Sequence, residues 1–185
     1  FMTVLVELVS ITTSAIDNYY DVLLIEKNGK RALSIPIGEY EGQHLALSID
    51  KIEANRPLTI DLLCDVFSHS EIKPKCVVIK EFKEGIFYID ICCEKNGEKI
   101  TFDSRCSDAF NLSVKLSLPI FVEEKVLDDV GFEILSPNMI SDQQNTQDDW
   151  TIEELQLLLK EVEEQGEKEI ADLLREKIKD LENEN

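Results

Sequence analysis

Most of the chain alternates apolar and polar residues over short stretches, and it changes to helical spacing only at a few places. Val4, Val6, Leu8 and Ile11, with Leu5 and Val9 between them, predict a first strand over residues 2–11 buried on one or both faces. Tyr20 to Glu26 and Arg31 to Ile37 flank Lys27-Asn28-Gly29-Lys30. Asn-Gly readily supplies the positive φ angles of a tight turn, so a hairpin is expected there. Glu41, Leu45, Leu47, Ile49 and Ile52 follow, in a segment free of Pro until Pro57. This predicts a helix whose acids, Gln43 and His44 line the exposed side. After Arg56-Pro57, Thr59 is expected to cap a second helix through Asp61, Leu62, Leu63, Val66 and Phe67.

Cys76 to Phe82 and Ile86 to Cys93 are rich in β-branched and aromatic residues, and Lys95-Asn96-Gly97-Glu98 repeats the Asn-Gly signal before Ile100 to Phe102. A three-strand meander is expected. It runs into DSRCSDAFNLSVKLSLPIFV, from Asp103 to Val122. A strand ending at Phe102 would deliver Asp103 and Arg105 to one side of the chain, since side chains two apart on an extended segment point the same way. Ser107 is the expected N-cap, with Asp108 in the first turn. Ala109, Leu112 and Leu116 with Phe110 and Val114 form the buried face of a helix running to about Leu118. Pro119 to Val122 reads as one more short strand. Hairpins outnumber crossovers, so the fold class is α+β: a mixed, largely antiparallel sheet with packed helices, over residues 2–135.

Residues 136–149, with few apolar positions and several turn formers, read as a polar linker. Beyond it, Thr151 and Glu154 make a capping box, with Trp150 and Leu155 placed as a hydrophobic staple. Ile152, Leu155, Leu159 and Val162 stripe one helix; Ile170, Leu174, Ile178 and Leu181 stripe another after Gly166. An α-helical hairpin over residues 150–185 is therefore expected. Two helices of this length cannot enclose their own stripes, so the hairpin needs the body, a second copy in a homodimer, or a foreign protein.

A chain of 185 residues with 43% hydrophobic content can bury a core. Its net charge of -19 argues against an extended electrostatic grip on nucleic acid or an anionic membrane, so any phosphate contact must be local. Residues 141–185 hold 15 acids and 5 bases, which concentrates the charge in the tail. Without a signal-peptide pattern or an apolar run of spanning length, a cytoplasmic location is expected. Cys64, Cys76, Cys92, Cys93 and Cys106 lack C-x-x-C spacing and read as reduced thiols, with Cys92 and Cys93 on opposite sides of one strand. From residue types alone, the charges at Asp103 to Asp108 read either as an Arg105–Asp108 ion pair fixing a strand-to-helix corner or as a catalytic group.

Five ordered blocks resemble the bifunctional nuclease domain, a family assigned combined RNase and DNase activity. They are IPIGEYEGQHLAL (Ile35 to Leu47), RPLTIDLL (Arg56 to Leu63), EGIFYIDI (Glu84 to Ile91), DSRCSDAFNL (Asp103 to Leu112) and PIFVEEKVL (Pro119 to Leu127). The family pattern usually has His where this chain has Ile60, and often Pro where it has Cys106. The resemblance implies phosphodiester hydrolysis of RNA or DNA. On the matched positions, Glu41, Asp61, Asp103 and Asp108 are the candidate acids, and Asp103 and Asp108 are the candidate ligands of a divalent metal, Mg²⁺ or Mn²⁺. Arg56 and Arg105 are placed to neutralise the scissile phosphate, and the helix N-terminus at Ser107 to donate backbone N–H groups to it. The segment EKEIADLLREKIKDLE, Glu167 to Glu182, resembles the UvrB/UvrC-type interaction motif, which implies protein pairing by the tail. The competing function is a non-catalytic oligomeric module that recruits a repair or stress protein. A third is a small-anion site at the Ser107 helix N-terminus.

Overall fold

The computed structural model describes residues 2–14, 18–27, 29–52 and 54–134, together with Gln156, Leu159, Lys160, Arg175, Ile178 and Lys179 of the tail. Among the described residues up to 134, eight strands and four helices follow in the order β1 (Thr3–Thr13), β2 (Tyr19–Glu26), β3 (Arg31–Gly38), α1 (Glu39–Ile49), α2 (Thr59–His69), β4 (Ile72–Lys83), β5 (Ile86–Lys95), β6 (Glu98–Ser104), α3 (Cys106–Leu116), β7 (Ile120–Glu123), α4 (Glu124–Val130) and β8 (Phe132–Glu133). The strands form one sheet in the order β6-β5-β4-β7-β1-β2-β3-β8. Only the β4–β7 pair is parallel, so the α+β expectation holds. No helix among the described residues is long and apolar enough to cross a membrane.

The strands form where the alternation predicts them because one side-chain set, including Val22, Leu24, Leu33, Ile35, Ile79 and Ile89, faces a single core. Each such residue is buried completely or nearly so, a transfer worth about 1.5–3 kcal/mol apiece. Helix α3 fills that core with Ala109, Phe110 and Leu112. Helix α4 packs against β4, β7 and β3. Helix α4 thus reaches two strands, β3 and β4, that stand four places apart in the sheet order. Arg31 fixes α4 in place, with its Nε and Nη2 on Glu26 at 3.1 and 3.0 Å and its Nη1 on Asp128 at 2.9 Å.

Several local expectations are corrected. Gln43 is completely buried instead of exposed, because α1 lies against both β2–β3 and α3 and keeps only a narrow solvent side. Leu58, not Thr59, is the N-cap of α2, and Asp61 reaches back to accept the Leu58 N–H at 2.9 Å. Strand β6 continues to Ser104, which makes Arg105 the N-cap of α3 and leaves Ser107 buried inside its first turn. That helix ends at Leu116, where Ser117 turns left-handed at φ 53°. The second Asn-Gly turn forms as expected, with Asn96 at φ 52° and Gly97 at φ 83°. Gly29 has no positive φ; it is needed because the Glu26 carboxylate, held by Arg31, occupies the space a Cβ would take. Helix α4 and strand β8 were not expected at all.

The expected linker at 136–149 and most of the expected hairpin at 150–185 lie outside the described residues. The six described tail positions are helical; Ile178 is buried and Leu159 half-buried.

Candidate active site

The strand-to-helix corner after β6 sets the geometry. Arg105, as N-cap of α3, lies beside Asp108 one turn on, and its Nε donates to Asp108 Oδ2 at 2.9 Å while Nη2 approaches Oδ1 at 3.4 Å. Its Nη1 donates to Glu41 Oε1 at 2.9 Å. Glu41 sits in the first turn of α1, so one guanidinium joins the N-terminal turns of two helices. The Arg105 side chain stays 68% exposed, against 26% for Glu41 and 50% for Asp108. Hydrogen bonding to Asp108, helped by Glu41, pushes the guanidinium even further above its ordinary range, so it is a permanent cation. Neither Gly38 nor Arg105, the N-caps of α1 and α3, makes a side-chain capping bond, and the cation lies beside the positive dipole ends of both helices.

His44 lies on the same helix as Glu41. It lies three residues beyond Glu41, which puts both on one face of α1. Its Nδ1 is 2.7 Å from the Tyr40 carbonyl oxygen, and the Tyr40 ring lies against it, tilted by 50°, at 4.1 Å between centroids. A carbonyl can only accept, so Nδ1 is the donor in this contact and Nε2 is the ring nitrogen that does not face it. The i, i+3 spacing from Glu41 was the available signal.

The other expected residues lie elsewhere. Asp103 faces Asp90 directly across β5 and β6, an arrangement of like charges that would be unfavourable alone. Lys80 lies between them: it donates to Asp90 Oδ1 and lies 3.8 Å from Asp103 Oδ1. The Asp90 hydrogen bond, against some burial, raises the Lys80 ammonium above its usual range. Lys80 lies two residues beyond Val78, the cross-strand partner of Asp90, so the alternation of β4 puts it on the same face as the two acids. Asp61 pairs with Lys115 at 2.9 Å. Burial would raise its carboxyl, but Lys115 and the Leu58 N–H together hold it below the ordinary range. Lys115 is in the last turn of α3, about 15 Å along the helix from Arg105, so Asp61 does not join the corner. Arg56 is exposed and has no ion pair among the described residues. A groove of about 770 Å³, lined in part by Leu5, Leu8, Ser113, Ser117 and Pro119, lies at this C-terminal end of α3 and not at the corner.

The expected metal pair is not assembled. Asp103 contacts Lys80, Asp108 contacts Arg105, and among the described residues no group of three or more His, Cys, Asp or Glu could hold an ion. These carboxylates face cations of the protein and do not fit a resident divalent metal.

Residues 22–134 match the family described as "Bifunctional nuclease domain". Two curated relatives are uncharacterized proteins of Mycobacterium tuberculosis: Rv1829 of strain ATCC 25618 / H37Rv and MT1877 of strain CDC 1551 / Oshkosh. Each is 36% identical over 129 residues, covering 70% of this chain and 77% of the relative. The span includes every residue of the Arg105 corner and the Lys80 cluster, and the chain belongs to the bifunctional nuclease domain family.

Proposed function

We propose that this protein binds a phosphodiester of RNA or DNA at the Glu41–Arg105–Asp108 corner and hydrolyses it. The observation that carries this reading is that Arg105 bridges the first turns of α1 and α3 while remaining 68% exposed. Three of its five N–H donors are committed to carboxylates, and two remain for phosphate oxygens. First-turn N–H groups of the two helices add a local positive field. His44 Nε2 takes the proton from the attacking oxygen, and as the new P–O bond forms the bond to the leaving oxygen breaks. With one exposed cation at the centre and -19 overall, binding is weak and local.

The test is cleavage of labelled single- and double-stranded RNA and DNA, run with Mg²⁺, with Mn²⁺ and with a chelator. Arg105→Ala and His44→Ala are expected to lose about 10²–10⁴-fold in rate. Asp61→Asn should retain it, and Asp103→Asn decides whether the Lys80 cluster contributes. Uncut substrate in every condition, or equal rates in the Arg105 and His44 variants, ends this reading.

A second reading is a non-catalytic platform whose C-terminal hairpin pairs with a protein or with a second copy. It is favoured by Ile60, which packs half-buried against the core where the family usually has His, and by the carboxylates already held by Lys80, Arg105 and Lys115. Capture of the same partners with and without residues 150–185 would leave the hairpin no recruiting role.

A further inference from the structure

Cys76 on β4 and Cys92 on β5 are directly opposite each other in the antiparallel ladder. Both are free and partly exposed, and they lie on the sheet side opposite the buried Val77, Ile79 and Ile91. The Val77 N–H donates to the Pro119 carbonyl at 3.0 Å, so the backbone polar groups of Val77 point toward β7. Those of Cys76 and Val78 therefore point toward β5. This makes Cys76 and Cys92 a pair of the hydrogen-bonded kind, for which a regular ladder sets Cα atoms about 5.5 Å apart; the register shift between Pro74 and Cys76 adjoins it. A disulfide spans about 4.4–6.8 Å between Cα atoms, so this pair can be bridged. Its Cβ separation of about 5.5 Å exceeds the usual range of about 3.5–4.5 Å, and closing it strains the strands. Strained disulfides are the easily reduced ones. The other thiols have no such partner: Cys93 points into the core at 2% exposure, Cys64 is on α2, and Cys106 opens α3.

We propose that Cys76 and Cys92 form a reversible disulfide across β4 and β5, closed by a small disulfide of the glutathione class. Burial first, and then the adjacent Cys76 thiol, push Cys92 up to about 11, so Cys92 remains protonated at neutral pH and Cys76 opens the reaction. The Cys76 thiolate attacks one sulfur of the small disulfide, and the S–S bond breaks as one small thiolate leaves. Cys92 then loses its proton to solvent and attacks Cys76 Sγ, expelling the second small thiolate. The protein is oxidised by two electrons, and the small disulfide is reduced to two thiols that take up the two protons.

The bond would lie two residues along β5 from Asp90, on the same face, and would clamp the strands that hold Lys80 between Asp90 and Asp103. It is independent of the phosphodiester reading, since no residue of the Arg105 corner takes part.

The reduced full chain is incubated with glutathione disulfide, remaining thiols are alkylated, and the products are read by intact mass and peptide mapping. The expected product has lost two hydrogens, links the Cys76 peptide to the Cys92 peptide, and reopens with dithiothreitol. Cys93→Ala should keep the link, and Cys92→Ser should stop at a glutathione adduct on Cys76. The same incubation in denaturant should scatter links among all five cysteines. A native link through Cys93, a scattered native pattern, or glutathione adducts with no internal link in the unsubstituted chain would overturn the proposal, whatever the folding of the variants.

Discussion

Arg105 Nη1 donates to Glu41 Oε1 at 2.9 Å across 64 residues of sequence, so the start of α3 is held to the start of α1 by a single guanidinium. Because that guanidinium is mostly in water, its ion pairs contribute little to stability. Arg105→Ala should cost about 1 kcal/mol or less in urea unfolding while abolishing most phosphodiester cleavage. Arg105→Lys keeps the charge but loses the planar fork that serves Glu41 and Asp108 together, so it should recover only a minor part of the activity. A large stability loss in Arg105→Ala would assign the corner to architecture.

Deeper between the same helices, Ser48 Oγ donates to Asn111 Oδ1 at 2.8 Å, with both residues 6% exposed. Removing the hydroxyl leaves a buried amide oxygen without its donor. Ser48→Ala should therefore cost about 1–3 kcal/mol, well above a typical surface substitution. Urea midpoints read at constant m-value check it, and a change under about 0.5 kcal/mol would show that the amide finds another donor.

The contrast between these two contacts shows what the sequence could and could not reveal. Residue type, alternation and turn signals locate seven of the eight described strands, since the β-branched residues of β4 and β5 have only one core to face. Asn96-Gly97 announced its turn. Glu84-Gly85 adopts the same geometry, with φ at 53° and 81°, yet Glu carries no such preference to read. Helix α4 was hidden because seven residues with two buried apolar positions, Val126 and Leu127, are too short to show a period. At the site, Arg105–Asp108 was legible as a local i, i+3 pair. Glu41 meeting Arg105 depends on how α1 and α3 pack, and Lys80 meeting Asp90 and Asp103 depends on the register of β4, β5 and β6; neither is written in local spacing. His44 was assigned to the solvent side of α1 with Gln43, although a 100° step per residue separates their directions.

Asp61 gives a pH dependence of known sign. Its folded carboxyl is held below the ordinary value by Lys115 and by the Leu58 N–H, against a burial that would raise it. Such a group contributes stability above its unfolded pKa, of about 3.9, and loses that contribution as pH falls through the lower folded value. Asp61→Asn keeps an oxygen for the Leu58 N–H and removes the charge. The variant should be less stable than the parent at neutral pH by about 1 kcal/mol, with the gap closing below about pH 4. Thermal unfolding from pH 7 to pH 2 measures this. A gap independent of pH would place the effect in packing.

Gly42 sets two opposed effects against each other on α1. In a helix interior, Gly→Ala ordinarily stabilises by about 1 kcal/mol through lower chain entropy. Here a Cβ at position 42 would meet the Tyr20 ring at 2.5 Å from Cδ2 and 2.6 Å from Cγ. Tyr20 is 4% exposed on β2, and a ring in that setting cannot swing clear without disturbing its neighbours in the core. Overpacking of this kind costs about 1–3 kcal/mol, which cancels or exceeds the helix gain. Gly42→Ala is therefore expected to be neutral to destabilising by about 2 kcal/mol. Because α1 carries both Glu41 and His44, the same displacement should lower cleavage more than stability. A single variant more stable than the parent would mean that α1 can shift away from β2 without loss, and the Glu41–Arg105 bond would then be the first contact to examine for a change in length.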